Sequence, residues 1–172
     1  MTINEAQEYT KGLLEDAKAS ITEASGGYFK IVTDVFYFDE DANAFSEYNE
    51  KADTICGNLA VFLPNAEEDA EPIEYAFMLD VSGGTVLDGS GDGQINEFIT
   101  DTEMLADSLR GKGEEDMLDV YAKEAERVDK LLEASAHALE EYATHFKHTG
   151  VRGIVITALL LILIIILSKL IG

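Results

Sequence analysis

The chain has no tryptophan, one cysteine, two prolines and few cations. The single thiol, Cys56, excludes an intrachain disulfide and any zinc site built on cysteines. It falls in an apolar pattern with Ala52 and Leu59, which marks it as a small buried hydrophobe. Twelve Lys and Arg stand against 34 Asp and Glu, a net charge of −22. That balance excludes nucleic acid as a partner and opposes contact with anionic lipid headgroups. Cations and basic partners remain. No Asn-x-Ser/Thr sequon occurs, and the start of the chain lacks the basic residues and apolar core of a signal peptide.

Catalytic signatures are missing too. The sequence contains no phosphate-binding Gly-x-x-x-x-Gly-Lys loop, no nucleophile elbow, no His-Glu-x-x-His pair and no dinucleotide fingerprint. Paired carboxylates occur, as chance dictates with 34 acids. The chain therefore reads as non-enzymatic, with no catalytic residue and no certain cofactor.

Apolar residues are abundant at one end. Residues 153–172 (GIVITALLLILIIILSKLIG) are uncharged up to Lys169. A helix of that length covers about 30 Å, the thickness of a bilayer's hydrocarbon core. A transmembrane anchor is expected over 149–172, behind an acidic soluble domain at 1–148. Integral attachment makes the membrane a partner and gives a single-pass localisation. Lys147 and Arg152 before the span favour a cytoplasmic domain by the positive-inside rule.

Thr2 and Asn4 are candidate caps for a helix running to Ser25 along Leu14, Ala17, Ile21 and Ala24. The same spacing continues through Tyr28, Ile31, Val35, Phe38, Ala42, Phe45, Asn49, Ala52, Cys56, Leu59 and Leu63. A seam of that length predicts long helices packing as a coiled coil, with a homo-oligomer or a protein partner on the seam. A strand competes over 28–38 (YFKIVTDVFYF), which is rich in β-branched and aromatic residues. Pro64 and the acidic stretch after it end the element. An apolar run at 73–81, Ser82-Gly83-Gly84 and a second run at 85–87 predict a β-hairpin at about 73–87. Helices follow over 95–110 and 114–147, the last along Leu118, Tyr121, Ala125, Val128, Leu132, Ser135, Leu139, Tyr142 and Phe146. The expected fold is α+β, mainly α: long amphipathic helices with a small hairpin or sheet, plus one C-terminal transmembrane helix.

Two constellations carry possible metal chemistry. In 88–96 (DGSGDGQIN), Asp88, Ser90, Asp92, Gln94 and Asn96 occupy the alternate positions of a calcium loop, with Gly93 and Ile95 at the turn and apolar positions. Ile99 stands where the closing acid belongs, and a Gly-rich turn is the other reading. On the last helix His137, Glu141, His145 and His148 share one face, a possible metal or pH-sensitive patch.

Residues 73–113 resemble part of a Cache (PAS-like) sensor domain, the input module of chemoreceptors and sensor kinases. The run IEYAFMLDVSGGTVLDGSG is similar to that family's strand–Gly turn–strand, and Leu109-Arg110-Gly111-Lys112 is similar to its Leu-x-Gly-Lys helix end. The family's later strands are missing after Gly113, so no ligand residues carry over. The resemblance implies an extracellular, non-enzymatic sensory module that binds a small ligand or cation and couples through its last helix. The alternative is a tail-anchored adaptor or assembly protein of the cytosolic face, acting through coiled-coil contacts. The membrane orientation stays open between them.

Overall fold

The computed structural model describes residues 2–39, 44–46, 54–67, 70–80 and 91–145. Its first element, α1 (Ile3–Ala24), starts where the sequence places it. The Glu5 amide donates to Thr2 Oγ1 at 3.3 Å and the Thr2 amide donates to Glu5 Oε2 at 2.7 Å, a reciprocal capping box. The hydrogen bonds to Thr2 hold the Glu5 carboxyl below its usual pKa. Leu14, Ala17, Ile21 and Ala24 are buried as expected, and Ala6 and Thr10 extend their stripe. Gly26 and Gly27 then take φ of 61° and 76°, a left-handed pair that ends the helix and turns the chain back.

The long helices expected over 28–63 are corrected. That region holds β1 (Lys30–Asp39), β2 (Ala44–Ser46) and β3 (Thr54–Phe62). With β4 (Ile73–Asp80) they form an antiparallel sheet in the order β2-β1-β3-β4. The helical spacing arose because β1 and β3 carry apolar residues on both faces. A strand of that kind satisfies any short period, so 3–4 spacing does not discriminate. The β-branched and aromatic content of β1 decided the outcome. The coiled-coil seam is lost with these helices. The first strand of the expected hairpin is β4, but among the described residues it pairs with β3; residues 81–90 lie outside them.

Register aligns Val35, Gly57 and Phe77 across the three long strands. Because side chains alternate, Val35, Tyr37, Ile55, Leu59, Tyr75 and Leu79 share their face. Two helices cover it: α1 and α2 (Gly91–Leu109). Thr10 lies over Gly57, and the Phe98 ring meets Phe77 at 4.7 Å. On α2, Ile95, Phe98, Leu105, Ala106 and Leu109 are buried, and the buried Thr102 hydroxyl donates to the Phe98 carbonyl at 2.8 Å. The result is a two-layer α/β arrangement with its core between the helices and one sheet face.

After Gly111 (φ 72°) comes α3 (Glu114–His145). The chain divides into two compact units, residues 1–124 and 125–172. In the first, α3 docks by its opening turns. Met117 is buried, the Tyr121 ring stacks on Phe29 at 5.5 Å, and its hydroxyl donates to the Val61 carbonyl at 3.0 Å. Tyr75 donates to Glu124 at 2.7 Å. Leu118, expected in the seam, is 42% exposed, so the inward stripe starts one residue earlier. In the second unit the described residues continue α3, with a Lys130–Glu126 ion pair at 2.6 Å.

The membrane assignments are corrected as well. Among the described residues no helix is long and apolar enough to cross a bilayer. At about 1.5 Å per residue α3 has the length, but charges such as Lys123, Glu126 and Lys130 recur along it. The transmembrane helix in the expected fold, the integral membrane partnership and the single-pass localisation therefore have no counterpart among the described residues. Residues 149–172, where the span was expected, lie outside the described residues.

Candidate functional site

Only part of the expected calcium loop lies within the described residues. Asp88 and Ser90 lie outside the described residues, while Asp92, Gln94 and Asn96 stand on α2, which begins at Gly91. The loop expectation takes Gln94 through its backbone carbonyl, and its side-chain oxygen accepts the Met78 amide at 3.1 Å, closing one backbone donor on the outer edge of β4. His137, Glu141 and His145 fall on α3, and His148 lies outside the described residues. Among the described residues no group of three His, Cys, Asp or Glu side chains is placed to hold a metal ion.

Cys56 is buried, and desolvation pushes its thiol up to about 12. At neutral pH it carries no thiolate and is a poor nucleophile. A shallow depression lies among Tyr28, Leu63, Pro64, Asn65, Ala66 and Leu118. It is open to solvent, and among its lining residues only Tyr28 has an ionisable side chain.

A different surface stands out once the sheet is known. The face of the sheet turned away from α1 and α2 carries Val32, Phe36, Phe38, Thr54, Cys56, Ala60, Phe62 and Met78, and of these Phe38, Thr54, Cys56 and Ala60 are buried. Phe36 is 39% exposed. Val32, Phe62 and Met78 are half-buried. Along β3 this face carries Cys56, Asn58 and Ala60, paired with Phe36, Asp34 and Val32 on β1 and with Met78, Ala76 and Glu74 on β4. Lys30 places its ammonium 5.4 Å from the Phe62 ring centroid, an aromatic–cation pair across β1 and β3. Asp34 is exposed and Glu74 half-buried on the two sides.

Most of this surface was missed from the sequence, because a helical reading of 28–63 sends these side chains to other neighbours. The signal was present in β3: Cys56, Asn58, Ala60 and Phe62 alternate with Ile55, Gly57, Leu59 and Val61, two stripes for two faces. A strand apolar on both sides needs cover on both sides. Among the described residues only one of the faces is layered with helices. No family model, no curated protein and no solved structure matches the chain.

Proposed function

We propose that this protein is a non-enzymatic adaptor whose working surface is the part of its sheet around the exposed Phe36. The observation that carries the reading is the exposure of Phe36 among the half-buried Val32, Phe62 and Met78, on the sheet face opposite α1 and α2. An apolar patch of this kind marks a protein contact when the rest of the surface is strongly charged. Here the rest of the chain supplies the net charge of −22, which keeps the molecule soluble and repels chance partners of its own sign. The reading takes up the adaptor role that the sequence offers as the alternative to a sensory module, and moves its contact surface from a coiled-coil seam to a sheet face.

The test is site-specific photo-crosslinking in the native cell. A benzophenone side chain replaces Phe36 in one variant and Met104 in another; Met104 is 54% exposed on α2. The expected result is a discrete crosslinked species from position 36 and none from position 104. Equal labelling from both positions, or none from position 36, refutes the proposal.

A further inference from the structure

We infer that the depression between the end of β3 and the opening turns of α3 takes one large apolar side chain of a partner protein, presented on a segment with lysine or arginine on both sides of it. The inference stands apart from the reading of the sheet around Phe36. Phe36 pairs with Cys56, and the depression begins at Leu63, about 23 Å farther along at 3.3 Å per residue. An adaptor joins two partners, and this is a second place for one of them.

The shape argues for a single side chain. The depression has a volume of about 240 Å3. Pockets for small-molecule ligands run to about 300–1,000 Å3, so this one is small for such a ligand. Leu63 is 36% and Leu118 42% exposed at its sides, which brings two large aliphatic side chains to water at one place. Its walls are fixed before anything binds. The Ala66 amide donates to the Leu63 carbonyl at 3.1 Å, closing the turn through Pro64 and Asn65. The Tyr28 ring stands edge-on to Phe29 at 5.1 Å, and Phe29 stacks on Tyr121, one turn along α3 from Leu118. A preformed apolar hollow of this size suits the anchor residue of a protein contact.

Charge selects what flanks that anchor. The two stretches bordering the depression, 65–74 (NAEEDAEPIE) and 114–122 (EEDMLDVYA), contain no Lys or Arg. Glu67 and Glu71 are exposed on the first, and Glu114, Glu115 and Asp116 on the second. Asp119 is already engaged by Lys123 at 2.6 Å. The acids of 114–116 also suit the N-terminus of α3. Glu67 and Glu71 stand between β3 and β4, where no helix dipole accounts for them. Cations on either side of the anchor meet one acidic stretch each. A second copy of this chain brings another −22, and repulsion at that charge opposes self-association.

The test uses the full chain and synthetic peptides about nine residues long, followed by fluorescence anisotropy at physiological salt. The first peptide has a central phenylalanine, lysines on either side of it and serines elsewhere. A second has serine at the centre, and a third has glutamate in place of every lysine. The first is expected to bind at least about tenfold more tightly than the second, as burial of one aromatic side chain predicts, and the third not at all. Leu118→Ser changes an exposed position and should weaken binding about fivefold or more. Leu131→Ser, at a position 45% exposed farther along α3, should weaken it less than about twofold. Glu67→Lys with Glu115→Lys should weaken it about tenfold or more. Glu23→Lys with Glu97→Lys makes the same charge change on α1 and α2 and should weaken it less than about threefold.

Equal binding of the two lysine peptides, or equal weakening by the two charge variants, overturns the inference, since attraction to the net charge is then the whole effect. Weakening by Leu131→Ser as large as by Leu118→Ser overturns it too, as does absence of binding by every peptide. Sedimentation that shows a dimer dissolved by Leu118→Ser also overturns it and gives the depression to a second copy. The crosslink from position 36 is independent of all these outcomes and decides the adaptor reading around Phe36 by itself.

Discussion

Gly57 is where the core tolerates least. A Cβ built there meets the Phe77 ring at 2.7 and 2.8 Å and the Thr10 methyl at 3.0 Å. None of these neighbours has room to yield. Phe77 is 1% exposed and held against Phe98 at 4.7 Å, and Thr10 is fully buried in the middle of α1. Gly57→Ala must therefore push the ring or lift α1 by several tenths of an ångström. Overpacking of this kind costs about 1–3 kcal/mol. Restricting the unfolded chain returns about 0.5–1 kcal/mol. A net loss of about 1 kcal/mol is expected, or roughly 3–6 °C in Tm for a unit of this size. Urea denaturation followed by circular dichroism reads it directly. Phe77→Leu removes the contacted ring atoms, so the double variant should lose less than the sum of the two single losses. A coupling of about 1–2 kcal/mol is expected. If Gly57→Ala is as stable as the parent, or the two changes simply add, α1 does not press on the sheet at this point.

Four further outcomes follow from particular contacts. Thr10 Oγ1 is buried with no hydrogen-bond partner among the described residues, so Thr10→Val should raise stability by up to about 1 kcal/mol in the same urea titration. Thr2→Ala removes the capping box and should cost about 1 kcal/mol; because Glu5 has a lowered pKa, the box's contribution is present above the unfolded carboxylate pKa and fades as pH falls through the folded one, which an acid titration of parent and variant resolves. Cys56 should react with iodoacetamide at mildly alkaline pH only as fast as the protein opens; with its pKa raised to about 12, its contribution to stability is intact below the free thiol's pKa and declines as pH rises toward 12. Tyr121→Phe leaves the Val61 carbonyl without that donor and should cost about 1 kcal/mol, while a spectrophotometric titration of the parent should show one phenol ionising above the ordinary tyrosine range because burial raises it.

The helices were legible because their signals are local. Thr2 and Glu5 mark the start of α1, and the glycine pair marks its end. Ile95, Leu105 and Leu109 repeat at helical spacing, and all three are buried on α2. The sheet was legible only at β4, where Ile73, Tyr75, Phe77 and Leu79 are buried and alternate with Glu74, Ala76 and Met78. In β1 and β3 the alternation is hidden, since Phe36 and Phe38 on one face interleave with Val35 and Tyr37 on the other. Pairing between strands far apart in the chain separates those stripes, and no local window contains it. Leu118 and Met117 differ by a single step for a similar reason: the docking of Tyr121 against Phe29 and Val61 sets the rotation of α3, and the contacts that set it come from β3 and the turn before β1.

The candidate surface depends on the same long-range pairing, which accounts for its apolar character. Gly57 gives up its side chain so that Phe77 and Thr10 can meet above it. The layered face thus fills its core with large residues from β1, β4 and the helices and keeps β3 thin at its centre. On the other face Cys56, Asn58 and Ala60 are also small; Cys56 and Ala60 are buried and Asn58 half-buried. Apolar surface left in water, such as that of Phe36 beside these buried neighbours, costs about 25 cal/mol for each Å2. A protein partner that covers Phe36 recovers that cost, and crosslinking from position 36 is where the adaptor reading is most directly tested.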